Sequence, residues 1–330
     1  MSAGERYVIR PATAADVDLE ARIWTESEPD EPLSADQIRR WRGLFRDPRL
    51  YLYELVVEDR KAGGAGVAFG GLSHSPSSFA PDQYWISVRV DVAHRGLGIG
   101  TQLYRALEEQ GVRRTARVLW AAVRTDDARG VRFFERAGFE ERRRLWVSRL
   151  DVAAARLPDP AAHRDEWASA GVEFSTLRED DAARPEVRER LYRLWTAASE
   201  DVPRLGEYTP IPYEQFVDVI LRADQPAGTS DVVFLARAAD EYVGVTTLEH
   251  GSGAGTLEVG FTGTLQAHRG KGIAAELKRR AVEYARERGY RYLVTRNDSE
   301  NRPIWAINER MGFRPIRTWV QGEKVLSTRS

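Results

Sequence analysis

Cysteine is absent from this 330-residue chain. That excludes disulfides, thiolate catalysis and cysteine-ligated zinc, and it fits a cytoplasmic protein. Histidine is scarce, five residues with no His-x-x-x-His pair, so no structural metal is expected. Lysine is nearly missing, 4 residues against 45 arginines, which reads as the coding bias of a GC-rich genome. No stretch approaches the ~20 apolar residues of a membrane helix. The opening Met1-Ser2-Ala3-Gly4-Glu5-Arg6 has no signal-peptide apolar core. Net charge is −1, so no global field favours nucleic acid or an anionic membrane. What remains is a globular chain, 42% hydrophobic and 30% charged, long enough for two domains that each bury a core.

The sequence repeats itself. Ala93-His94-Arg95-Gly96-Leu97-Gly98-Ile99-Gly100 returns 174 residues later as Ala267-His268-Arg269-Gly270-Lys271-Gly272-Ile273-Ala274. Ala137-Gly138-Phe139 returns as Met311-Gly312-Phe313, again with its glycine displaced by 174. Ile23-Trp24-Thr25 and Leu194-Trp195-Thr196 each precede an acidic stretch. Two copies at so long a period imply a tandem duplication rather than a solenoid. The implied limits are 1–150 for the first domain, 151–170 for a linker holding Pro158 and Pro160, and 171–330 for the second domain.

Each half has the same coarse pattern. A short strand (7–10; 172–177) leads into amphipathic helices. A hairpin follows (51–58 and 66–72; 232–237 and 242–249), then a central strand (84–90; 256–262) on which Glu258, Gly260 and Thr262 oppose Leu257, Val259 and Phe261. The glycine loop comes next and opens a helix. In the second half Ala274, Leu277, Lys278, Ala281, Val282 and Ala285 recur at helical spacing, and Gly111 and Gly289 suit the helix stops. A buried strand (118–123; 292–295), a helix ending at Gly138 or Gly312, and a last strand complete the unit. The fold class is α/β, a mixed sheet with helices on both faces.

Glycines at alternate positions let consecutive backbone N–H groups turn inward, and the following helix adds its unpaired donors and positive dipole end. Such a loop suits a phosphate or pyrophosphate. A nucleoside-triphosphate loop needs Gly-Lys-Ser/Thr, which neither copy has. A dinucleotide fold places the loop after its first strand, whereas here it follows roughly the fourth.

The loops Arg95–Gly100 and Arg269–Ala274 resemble the Arg/Gln-x-x-Gly-x-Gly/Ala loop of the GNAT superfamily of N-acyltransferases. Thr295-Arg296-Asn297-Asp298-Ser299-Glu300-Asn301 with Ile307-Asn308-Glu309-Arg310-Met311-Gly312-Phe313 resembles a Thr-x-Asn…Asn…Ile-Asn-x-x-x-Gly-Phe subgroup of that family. The first half carries a looser version in Arg124-Thr125-Asp126-Asp127 and Phe133–Phe139. The resemblance implies two tandem GNAT domains, each with a splayed cleft that takes acetyl-CoA between the central strand and its neighbour. It assigns the cosubstrate to Thr264, Arg269, Gly270, Lys271, Gly272, Ile273, Ala274, Asn301 and Asn308 in the second half. In the first half it assigns Val90, Val92, Arg95, Gly96, Leu97, Gly98, Ile99 and Gly100.

The resemblance also places a glutamate base at Glu258, on the central strand. The residue 174 positions earlier is Tyr84, which makes the C-terminal half the expected seat of chemistry. The usual tyrosine acid is replaced by Phe134 and Asn308, leaving the acid unassigned. Acidic residues Glu28, Asp30, Glu200 and Asp201 fall where this fold commonly lines an acceptor pocket, and their charge would favour a cationic amine. The reading is an acetyl-CoA-dependent N-acetyltransferase of a small amine, without metal, nucleic acid or membrane, and a monomer is compatible with the tandem domains. The alternatives are a CoA-binding sensor or scaffold, or acetylation of a protein N-terminus or lysine.

Overall fold

The computed structural model describes residues 6–221, 232–251, 253 and 255–326. They fall into two units: Met1–Arg143, Arg204–Thr209 and Val320–Ser330 in the first, Arg144–Pro203 and Pro210–Trp319 in the second.

In the first unit, β1 (Tyr7–Pro11) leads to α1 (Val17–Ser27) and α2 (Ala35–Gly43). The latter starts from a capping box in which the Ser34 hydroxyl and the Gln37 side chain accept each other's backbone N–H. The hairpin β2 (Leu52–Asp59) and β3 (Ala65–Ser73) turns through left-handed Gly63 and Gly64. The central strand β4 (Gln83–Val90), helix α3 (Ile99–Arg113), strand β5 (Val118–Arg124) and helix α4 (Ala128–Arg136) follow. Strand β6 (Glu140–Asp151) then carries the chain on to the linker helix α5 (Arg164–Ser169).

The second unit repeats the plan with β7 (Val172–Thr176), α6 (Pro185–Glu200), β8 (Val233–Ala238), β9 (Glu241–His250), β10 (Thr256–Thr264), α7 (Ile273–Glu287), β11 (Tyr292–Asp298) and α8 (Arg302–Met311). Strand β12 (Arg314–Val325) ends the described chain. Strand order is β1-β2-β3-β4-β5-β12 in the first unit and β7-β8-β9-β10-β11-β6 in the second. Each unit therefore takes its closing strand from the other half of the sequence, since residues 145–151 of β6 pair with β11 and residues 320–325 belong with the first unit.

Apolar spacing explains the cores. Leu103 and Leu107 of α3 pack with Tyr84, Ile86 and Leu119 in one unit, and Leu277 and Ala281 of α7 pack with Leu257, Val259 and Leu293 in the other. Each fully buried leucine, isoleucine or valine among them contributes roughly 1.5–3 kcal/mol. Gly289 ends α7 with φ 73° as the sequence suggests. Gly111 does not end α3. It is buried inside the helix, and the left-handed residue beyond the helix is Thr115 at φ 58°.

The central strands differ. Strand β4 pairs with β3 from Trp85 to Val90 without interruption. Strand β10 pairs with β9 up to Val259 and resumes at Thr262 one residue out of step, so it holds a bulge at Gly260–Phe261. The bulge overturns the expected alternation. Leu257 and Val259 face α7, but Phe261 turns to the opposite side, against Trp195 of α6 at 4.3 Å between ring centroids.

Candidate functional site

Both glycine loops form the expected cradle. Gly96 and Gly98 adopt φ 82° and 79°, and Gly270 and Gly272 adopt φ 76° and 73°. In each loop the second of these glycines is the N-cap, and no side chain caps the helix. The first-turn N–H groups therefore remain available to an anion. The loop arginines do the same job twice: Arg95 Nε donates to the Val90 carbonyl and Arg269 Nε to the Thr264 carbonyl, each at 3.1 Å, tying the loop to the end of the central strand. Ile99 and Ile273 are core side chains and offer the cradle only their backbone, as the first helical residues ahead of Gly100 and Ala274. Leu97 and Val92 are exposed, whereas Lys271 is half-buried. Burial, and next the charge of Lys271, pull His268 below the ordinary imidazole range.

Beside each cradle the parallel pairing ends early. Strand β4 stays with β5 only through Trp85, and β10 stays with β11 only through Val259. In the second unit residues Arg296–Asp298 of β11 continue alongside β6, while β10 runs on to Thr264. The edge of β10 from Gly260 to Thr264 has thus lost its strand partner on that side. The bulge also takes the Phe261 N–H out of the ladder, and it donates to the Thr247 hydroxyl at 2.9 Å.

Glu258 is half-buried just before the bulge. Its carboxylate lies 3.7 Å from Arg296 Nε, and Glu249 is directly opposite it on β9. Sequence offset pairs Glu258 with Tyr84, but strand register does not. Tyr84 pairs with Leu119 as Leu257 pairs with Leu293, so the structural counterpart of Glu258 is Trp85. The extra residue in the bulge accounts for the one-position error. Tyr84 itself is a core residue, stacked on His74 and donating its hydroxyl to the Pro81 carbonyl.

The walls of the two clefts differ in polarity. In the second unit Asn308 is fully buried and donates through Nδ2 to Asn297 Oδ1 at 2.7 Å. Asn308 Oδ1 and Thr264 Oγ1 are buried without a hydrogen-bond partner among the described residues, whereas the unsatisfied Nδ1 of His268 has its match in His94 Nδ1 of the first unit. Buried polar atoms of this kind require partners, and the amides of a pantetheine arm would supply them. The residues 174 positions earlier are Val90 for Thr264, Val123 for Asn297 and Phe134 for Asn308, all apolar. Asn301 serves as the N-cap of α8, accepting the Ile304 N–H. Asn297 was not singled out as a ligand from the sequence, although it stands inside the Thr-x-Asn motif.

The acidic residues separate. Glu28 is buried, and Arg124 Nη1 donates to it at 2.5 Å in the first unit. Asp30 is exposed. Glu200 is exposed at the end of α6, and Asp201 accepts from the loop arginine Arg269 at 2.6 Å. Among the described residues no helix is long and apolar enough to cross a membrane, and no group of three or more histidines or carboxylates could hold a metal ion.

Comparison with known proteins agrees with this geometry. Residues 17–139 match the acetyltransferase (GNAT) family profile, and residues 173–314 match a second profile, the acetyltransferase (GNAT) domain. The chain is 28% identical over 282 residues to a mycothiol acetyltransferase of Thermobifida fusca, covering 79% of each chain. It is 25% identical over 311 residues to a mycothiol acetyltransferase of Corynebacterium glutamicum, covering 88% of this chain and 99% of that one. A solved tandem GNAT protein from the clavulanic acid biosynthesis pathway superposes with a TM-score of 0.73 at 19% identity, covering 98% of this chain and 100% of that one.

Proposed function

Starting from a chain that belongs to the GNAT acetyltransferases and carries two of their domains in tandem, we propose that it transfers an acetyl group from acetyl-CoA to the nitrogen of a small amine, and that the second domain, residues 171–330, does the chemistry. The observation that carries this reading is the bulge at Gly260–Phe261, present in β10 and absent from β4, beside a strand edge that has lost its partner.

In this reading the Gly270–Ala274 cradle holds the diphosphate on backbone N–H groups. Thr264, Asn297 and Asn308 receive the amide arm. The unpartnered β10 edge presents backbone donors to the thioester carbonyl, and those donors stabilise the oxygen as it gains charge. An amine with a pKa of ~10 reaches the site largely protonated. Glu258, with Glu249 opposite, attracts that cation and takes one proton from it, directly or through a water. The freed nitrogen attacks the carbonyl carbon. Collapse of the adduct breaks the carbon–sulfur bond, the attacking nitrogen gives up its second proton to solvent, and the departing thiolate takes a proton from solvent, since Asn308 carries no acidic proton to donate.

The first domain keeps its cradle but has an uninterrupted β4, Trp85 in the place of Glu258 and an apolar cleft wall. We read it as binding CoA without turning it over. The relatives named for mycothiol acetylation support acetyl transfer to a small acceptor, and no finer acceptor is carried over from them.

The test is mass spectrometry of products after incubation with acetyl-CoA and a panel of aminoglycosides, amino acids, polyamines and peptides. A product heavier by one acetyl group is expected with a small amine. Glu258→Gln should cut kcat at least about 100-fold while calorimetric acetyl-CoA binding persists. Unchanged turnover in that variant would remove Glu258 from the mechanism. Binding without any product would make the protein a sensor.

A further inference from the structure

The two cradles differ in what stands behind them. Among the described residues, no atom lies within 4 Å of a Cβ position built on Gly96 or Gly98. On Gly272 the same position lies 2.4 Å from Cδ2 and 2.8 Å from Nε2 of His163, so an imidazole is packed directly on the N-cap of α7. Four residues on, Trp167 Nε1 donates to the Lys271 carbonyl at 2.8 Å. Trp167 is anchored: it is buried in the second unit's core and meets the Phe174 ring edge-on at 4.9 Å. His163 is held in turn by Glu166 at 3.1 Å and lies 5.7 Å from the Trp167 ring. Both residues belong to α5 or its N-cap, in the segment that the sequence marks as a linker.

The carbonyl of Lys271 and the N–H of Gly272 belong to one planar peptide. Fixing the carbonyl fixes the direction of the N–H. The Trp167 indole therefore sets the orientation of the cradle donor that opens α7, and His163 keeps the left-handed Gly272 from swinging away. An unsupported loop must lose that freedom when an anion binds, whereas a braced one has lost it already.

We infer that Trp167 and His163 are positioning residues for the second cradle: the linker helix preorganises it for the diphosphate of acetyl-CoA, and among the described residues the first cradle has no such brace. This rests on the proposed CoA-binding reading of the loop.

Trp167→Phe removes the indole N–H and keeps an aromatic ring in the core. Losing one neutral hydrogen bond that orients a donor should raise the KM for acetyl-CoA roughly three- to ten-fold, with kcat held within about two-fold because the reacting atoms are untouched. Hydrogen exchange in residues 266–276 of the ligand-free variant should speed up. His163→Ala, at a more exposed position with little bearing on folding, should shift KM in the same direction. An unchanged KM in both variants overturns the inference. So does a fall in kcat and melting temperature with KM intact, which is the signature of a purely structural residue. If the wild-type chain binds neither CoA nor acetyl-CoA by calorimetry, the CoA reading itself fails, and the brace falls with it.

Discussion

Lys278 should make the second unit progressively less stable as the pH falls from about 10.5 to about 7. It lies on α7 with 1% of its surface exposed. Its ammonium sits 5.6 Å from the centre of the Phe313 ring, and no carboxylate pairs with it among the described contacts. Burial pulls its pKa down to about 7, from 10.5 for the free side chain. The unfolded chain thus holds this proton up to about pH 10.5, and the folded chain only up to about pH 7. Between those values the unfolded state binds more protons, so this residue makes stability rise with pH. Below pH 7 its full cost is present. At 1.36 kcal/mol per pKa unit the gap sets an upper bound of roughly 5 kcal/mol, and the ring contact returns roughly 1 kcal/mol of it. Lys278→Met keeps the volume and flexibility without the charge. It should stabilise the second unit by about 2–4 kcal/mol at pH 6 and by progressively less towards pH 10. Urea titrations at pH 6, 7.5 and 9, followed by hydrogen exchange in residues 273–287, measure this. A variant that is less stable than wild type at pH 6, or a gain independent of pH, would refute the reasoning.

A half-buried charge group gives the opposite slope. Arg42 bridges Glu20 and Glu54 at 2.8 Å each, and burial with repulsion from Glu54 pushes Glu20 up to about 7. A carboxyl raised in the folded state stabilises below its unfolded pKa and loses that contribution as pH climbs through 7. Arg42→Ala should therefore cost about 3–5 kcal/mol at pH 8 and clearly less at pH 5 in denaturant titrations of the first unit. Equal losses at both pH values would show the carboxyls to be ionised throughout. Asn308→Ala leaves Asn297 without its donor, so thermal melting should show a loss of about 1–3 kcal/mol. Steady-state kinetics should show a KM for acetyl-CoA raised several-fold, and an unaltered KM would take Asn308 out of the cosubstrate site.

Much of this was legible in the sequence because it depends on local rules. Glycine spacing before an amphipathic helix gave both cradles, and alternation with turn residues gave both hairpins. What escaped depends on partners distant in the chain. A bulge is defined by two strands together, so counting along one strand placed Phe261 on the wrong face and matched Glu258 to Tyr84 rather than to its counterpart Trp85. Gly111 looked like a stop because nothing local shows that Ala116, Leu119 and Leu72 pack around it. The pairing of β6 with β11 is equally invisible to a repeat count, since β6 and β12 look interchangeable in sequence. The proline-containing linker gave no hint that Trp167 would brace the glycine loop. Asn297 could have been found, as its motif was already in view.

Acetyl transfer at the second cradle is tested most directly by kcat/KM for acetyl-CoA in two matched variants, Gly98→Ala and Gly272→Ala. Both glycines are left-handed, so each substitution strains its loop by about 1 kcal/mol. At Gly272 the added methyl also meets the His163 ring, whereas at Gly98 it meets nothing within 4 Å. Gly272→Ala should lower kcat/KM by more than about ten-fold, and Gly98→Ala should leave it within about two-fold. The reverse order, or equal losses, would place acetyl transfer in the first unit or in both and contradict the account.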